Sequence, residues 1–308
     1  MADFVLTMFR ETALVPAAVS ILVAAAIHWL CPGRLPGCVA VGCGFFAGWA
    51  SQDWGHLSPK RYLDWSPWAA LVLAMVGCLL LLTDRRWARF SLLLAACSAA
   101  AWLLVPDFPR LVPSRPVAVA LVAGLAIMTV SSVLLADCCV PNRSFRIAFV
   151  MIGSAGALIQ AQAFGLKFSQ MVGMLTAALG GPLLFPAPQG KGAVGVVFLP
   201  LLAAMMFMGY ASSSSDVPVF CFFLPPFACL PLLIQAKRRA ELPASGDARQ
   251  PIDETGGQKT VSQTVTPNLM ARPSGKARLV SWTLVIVVLI VAALPAILAH
   301  PPWEEDLG

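Results

Sequence analysis

Residues 116–136 read PVAVALVAGLAIMTVSSVLLA, twenty-one positions without a charged side chain. About 20 residues of α-helix cross the hydrocarbon core of a bilayer. Inside that core every backbone N–H and C=O must pair within its own segment, so the stretch predicts a membrane-spanning helix. Trp68–Thr83 and Leu279–Leu298 are equally free of charge. This character extends along nearly the whole chain and predicts an all-α, polytopic integral membrane protein with about ten transmembrane helices.

The expected spans are 12–31, 35–50, 67–83, 88–105, 116–136, 145–164, 168–186, 193–210, 217–235 and 279–299. Ser66–Pro67, Ser114 with Pro116, and Asp216 with Pro218 supply start signals, a capping side chain beside a proline suited to a first helical turn. The stretch at 35–50 is short and rich in glycine, which leaves open whether it crosses fully. Arg10 ahead of an apolar run resembles a signal peptide, but Glu11 offsets the charge and no small-x-small cleavage site follows, so a retained first helix is expected.

Composition fits this solvent. Of 308 residues, 58% are hydrophobic and 12% charged, and the mean hydropathy is +0.79; a soluble domain carries roughly 25% charged residues. The net charge of +6 is not gathered into a basic, aromatic-laced surface, which excludes a nucleic-acid partner. Most of the nine cysteines lie in apolar runs as small packing residues, with no C-x-x-C pair, and His is too scarce for a zinc site, so neither metal nor cofactor is expected.

Ten spans put Arg34, Arg85, Arg86, Arg89, Arg143, Arg146, Lys191 and eight basic residues of 237–278 on one face, fifteen in all. The opposite face collects six: Arg10, Lys60, Arg61, Arg110, Arg115 and Lys167. The positive-inside rule then places 237–278 in the cytoplasm and both termini outside, with a bacterial plasma (inner) membrane as the simplest home. Three regions follow: a bundle over 1–236, a polar, aperiodic cytoplasmic linker over 237–278 with the composition of a disordered segment, and a final helix with an acidic tail over 279–308.

Candidate pathway residues sit where helices should break. Gly180, Gly181 and Pro182 interrupt one span and Pro225 and Pro226 another; such breaks free carbonyls that coordinate substrates in transporters, although plain bundles contain them too. Gly153, Gly156 and Gln160 share a helix face, which turns Gln160 into the bundle, for an interhelical hydrogen bond or a substrate contact. Together with Gly44-x-x-x-Gly48, these small faces also suit a homo- or hetero-oligomer. No Asp, Glu, Lys or Arg falls at the centre of a span, which argues against proton coupling through buried carboxylates.

A connection around 49–68 concentrates four tryptophans, Tyr62, Asp53, His56 and Asp64. As catalytic candidates, Asp53-x-x-His56 on a helical turn, with Asp64 and His300 on the same side, would form an outer-interface acid–base or metal site. The competing reading is an interfacial aromatic anchor. Three functions remain: a small-molecule transporter or permease, favoured slightly; a structural or assembly subunit of a membrane complex; and, least, a membrane-embedded enzyme.

Overall fold

The computed structural model describes residues 2–30, 37–53, 59, 61–83, 85–106, 114–136, 142–163, 165–185, 193–212, 217–228, 230–231 and 275–298. The expected linker at 237–278 lies outside these residues except for its last few positions, as do His56 and His300. Among the described residues the regular structure is helical, with no strand.

In chain order the helices are α1 Ala2–Phe9, α2 Val15–Leu30, α3 Gly37–Asp53, α4 Ser66–Leu82, α5 Arg86–Leu104, α6 Arg115–Ala136, α7 Asn142–Gln162, α8 Leu166–Ala177, α9 Gly180–Leu184, α10 Ala193–Ser212, α11 Val219–Phe227 and α12 Gly275–Leu298. A π-helical turn, Arg10–Leu14, joins α1 to α2, with Val15 N–H bonded to the Arg10 carbonyl. Pro16 explains it: proline has no N–H for the carbonyl four residues back, and widening the preceding turn relieves its clash. A 3₁₀ turn, Tyr62–Trp65, leads into α4.

Among the described residues five stretches are long and apolar enough to cross a membrane: Leu6–Leu30, Tyr62–Leu82, Arg86–Leu104, Arg115–Leu134 and Ala193–Ser212. The sequence anticipates about ten. Glycine and proline shorten others. α3 is 17 residues long, and the span expected at 168–186 is divided into α8, of 12 residues, and α9, of five.

Glycines set the helix directions. A Cβ on Gly42 would lie 2.8 Å from that of Ala74, and one on Gly77 would lie 2.8 Å from Cys38 Sγ, so α3 and α4 run antiparallel in near-backbone contact. Gly44 packs on Pro16 and Ser20, and Gly48 on Pro16, which makes α2 and α3 antiparallel. Gly153 meets Thr176 and Gly156 meets Val172, pairing α7 with α8 in the same sense. Gly156 also packs on Leu202 and Met206, and Phe149 on Phe198, so α7 and α10 run parallel.

α10 is the axis. It touches α3, α4, α5, α6, α7, α8 and α11, and every residue from Ala193 to Gly209 is buried. A helix apolar all round suits a protein core or lipid alike, and α10 takes the core. Its small residues, Gly195, Ala203, Ala204 and Gly209, let several neighbours approach at once.

Candidate functional site

The broken helix between α8 and α9 is the first place to look for freed backbone groups. Pro182 has no N–H, so the Ala178 carbonyl four residues back loses its helical donor. The Ser20 hydroxyl replaces it, donating to the Ala178 carbonyl at 2.5 Å, and in turn accepts from Gly181 N–H at 3.2 Å. Ser20 is fully buried on α2. Gly181 is required for this contact, because a Cβ there would run into the Ser20 backbone. The break is therefore closed by a neighbouring helix, and these two backbone groups are committed to Ser20.

Gln160 lies on α7 and faces the interior, fully buried. Its Nε2 donates to the Met205 carbonyl at 3.1 Å and approaches the Met206 carbonyl at 3.4 Å. Oε1 accepts no hydrogen bond. A Cβ on Gly209 would collide with the carboxamide, and one on Gly165 would lie 3.0 Å from Oε1. The Gly209 Cα–H is thus directed at the amide, the weak C–H···O arrangement that recurs between closely packed helices. The Gln160 backbone also works locally, its carbonyl accepting Gly165 N–H at 2.9 Å to finish α7.

The two candidate breaks are not brought together. α9 packs mainly on α2 and α3, whereas α11, which carries Pro225 and Pro226, packs mainly on α10 and α12; both also touch α7. Gln160 is distant from the first of them. A Cβ on Gly165, at the head of α8, would lie 3.0 Å from Gln160 Oε1, which puts Gln160 about sixteen residues, or about 24 Å, along α8–α9 from Gly181. Both prolines of α11 are buried. An aromatic group of Phe207, Tyr210, Phe222 and Phe223, with ring centroids 5.8 to 6.4 Å apart, braces this helix against α10.

In the polar connection, Asp64 is buried and its Oδ2 accepts Arg61 N–H at 2.9 Å, while Asp64 N–H donates to the Arg61 carbonyl at 3.0 Å. These reciprocal bonds close the start of the 3₁₀ turn. Asp53 ends α3, with its side chain outside the described atoms, and the expected convergence with His56 and His300 falls outside the described residues. Among the described residues no three His, Cys, Asp or Glu side chains gather as a metal site.

Several contributors escape the sequence reading. Ser20 is a single hydroxyl in an apolar run, with nothing local to connect it to a proline 162 positions later. Pro200, inside α10, deprives the Val196 carbonyl of its helical donor. Arg146 is buried near the start of α7, its guanidinium 3.4 Å from the Leu183 carbonyl at the end of α9, where a cation complements the helix dipole. The missed signal for Arg146 is its position one turn inside a span. No family model, curated protein or solved structure matches the chain.

Proposed function

We propose that this chain is a multi-pass integral membrane protein whose helices form a sealed bundle around α10, and that it serves as a structural or assembly subunit of a membrane complex. The observation that carries the reading is the enclosure of α10, with seventeen consecutive residues buried from Ala193 to Gly209. A water-filled route beside this helix would leave some of them accessible. The closure of the α8–α9 break by Ser20 supports the same reading, since transport through broken helices uses freed backbone groups.

The tryptophans support the membrane frame. Trp29 and Trp87, both 84% exposed, mark the end that carries Arg85, Arg86 and Arg89; Trp65, Trp68 and Trp102 mark the other. Trp87 and Trp102 sit near opposite ends of α5, fifteen residues or about 22 Å apart along the axis. Two exposed aromatic belts at such a spacing are the interfacial anchors of a spanning protein. At the second belt, Arg115 lies 4.7 Å over the Trp102 ring and donates to the Trp102 and Val105 carbonyls, joining α5 to α6. In this frame the arginine-rich end faces the cytoplasm of a bacterial cell.

A permease without proton coupling is the second reading, supported by the orphan Oε1 of Gln160 and by the prolines inside α10 and α11, Pro200 and Pro225–Pro226. Single cysteines at Val196, Ala203 and Met206 in a cysteine-free background separate the two. A sealed subunit leaves all three unlabelled by a membrane-impermeant maleimide applied from either side. Labelling of Ala203→Cys from one or both faces would replace this reading with the permease. Native mass measurement of the protein in mild detergent should then give a defined complex heavier than the 32.6 kDa chain.

A further inference from the structure

The seam between α3 and α4 brings two thiols together near the arginine-rich end of the bundle. Cys38 is the second residue of α3 and fully buried; Cys78 lies four residues before the end of α4 and is half-buried. The Cys38 thiol donates to the Ala74 carbonyl at 3.4 Å. Ala74 is one helical turn before Cys78, and its carbonyl is the one the Cys78 amide uses within α4. On the other side of Cys38 Sγ is Gly77, where a Cβ would stand only 2.8 Å away. The Cys38 sulfur is therefore seated on the α4 backbone between Ala74 and Gly77, against the helix face that also carries Cys78, one turn on from Ala74.

A disulfide needs Cβ atoms about 3.8 Å apart, which two packed helices reach only where small residues let their backbones close in. Gly42 supplies such a contact one turn further along α3, its missing Cβ 3.1 Å from the Ala70 carbonyl, and Gly77 supplies the other. Access is unequal. Cys78 borders the exposed apolar face formed by Met75, Leu79 and Leu82, while Cys38 is covered.

We propose that Cys38 and Cys78 form a peroxide-reactive dithiol that closes to an interhelical disulfide between α3 and α4. Cys78, the accessible thiol, attacks the terminal oxygen of an organic hydroperoxide. The O–O bond breaks, Cys78 becomes a sulfenic acid, and the alcohol leaves with the thiol proton. Cys38 then attacks the Cys78 sulfur; the S–O bond breaks and water leaves. The two thiols lose two electrons and the hydroperoxide gains them. Closure fixes α3 to α4 beside the first turn of α10, whose Ala193 carbonyl would lie 3.4 Å from a Cβ on Gly77. Two neutral thiols become one neutral disulfide, so no charge is left in an apolar site.

The test uses full-length protein in lipid nanodiscs, reduced, exposed to equimolar cumene hydroperoxide, alkylated with N-ethylmaleimide and mapped by peptide mass spectrometry. Cys43 is half-buried on the same helix and serves as the internal reference. Cys78 should disappear as a free thiol roughly tenfold faster than Cys43, as access and a resolving partner dictate, and should be recovered linked to Cys38. In Cys38→Ser the sulfenic acid should persist on Cys78 and be trapped by dimedone. In Cys78→Ser, Cys38 should stay reduced. Oxidation of Cys43 as fast as Cys78, or loss of Cys78 in the wild type without a link to Cys38, would overturn the proposal.

Discussion

The most apolar eighteen residues of Leu6–Leu30 and of Ala193–Ser212 have the same mean hydropathy, yet 17% of the first set is buried and 94% of the second. One helix lies on the outside of the bundle and the other at its centre. In water such different positions leave different sequences, because an outward face must be polar. Here the exposed apolar residues Leu14, Leu22, Trp29 and Leu30 of the first stretch resemble Leu199, Leu201 and Leu202 of the second. What separates the two is how many sides meet a neighbour: α10 packs on seven helices, and α2 through one stripe. α10 offers Gly195, Ala203, Ala204 and Gly209 to several neighbours, whereas the α2 contacts gather around Pro16, Ser20 and Ala24. Burial in an apolar solvent is decided by how closely backbones can approach, and transfer from water contributes little once a helix is in lipid.

The sharpest test of this contrast is a matched pair of truncations. Leu202 is fully buried and Leu22 is 67% exposed. Leu202→Ala leaves a cavity in the core and should destabilise the protein by about 2–5 kcal/mol. Leu22→Ala exchanges lipid contacts and should change stability by less than about 0.5 kcal/mol. SDS-driven unfolding in mixed micelles reads both, and equal losses would break the comparison. The next largest effect falls on the outer helix itself. Ser20→Ala removes the hydroxyl that serves both Ala178 and Gly181 and leaves a buried carbonyl unpaired, for a loss of about 1–3 kcal/mol. Hydrogen exchange should locate the change at α9, with α10 still protected; an unchanged exchange rate at α9 would show that the break does not depend on α2.

The smallest effect is a coupling of about 1 kcal/mol at the polar contact inside the core. Gly209→Ala should cost about 1–3 kcal/mol through overpacking against the Gln160 carboxamide. Combined with Gln160→Ala, the clash disappears, so the double variant should recover about 1 kcal/mol relative to the sum of the single changes. Additive losses would mean that Gly209 and Gln160 do not share a contact.

Much of the local structure was legible along the chain. Charge-free runs demanded helices, Gly180, Gly181 and Pro182 demanded a break, and the periodicity through Gly153 and Gly156 turned Gln160 inward. The candidate site was less legible for two reasons. Asp64 is one of the catalytic candidates in the sequence, and its bonds to Arg61 are set by a 3₁₀ turn too short to leave a pattern. Cys38 and Cys78 read as unrelated small residues, and only the antiparallel register of α3 on α4 makes them a pair. The sequence by itself determined that this protein is helical and suited to lipid, because backbone pairing and apolar composition are properties of each segment taken alone. The tertiary structure decided which helix sits at the centre, which hydroxyl closes the broken one, and which thiols meet. Those choices depend on contacts between segments distant in the chain, and a bilayer, as apolar as the protein interior, imposes no alternation of polar and apolar residues that would record them.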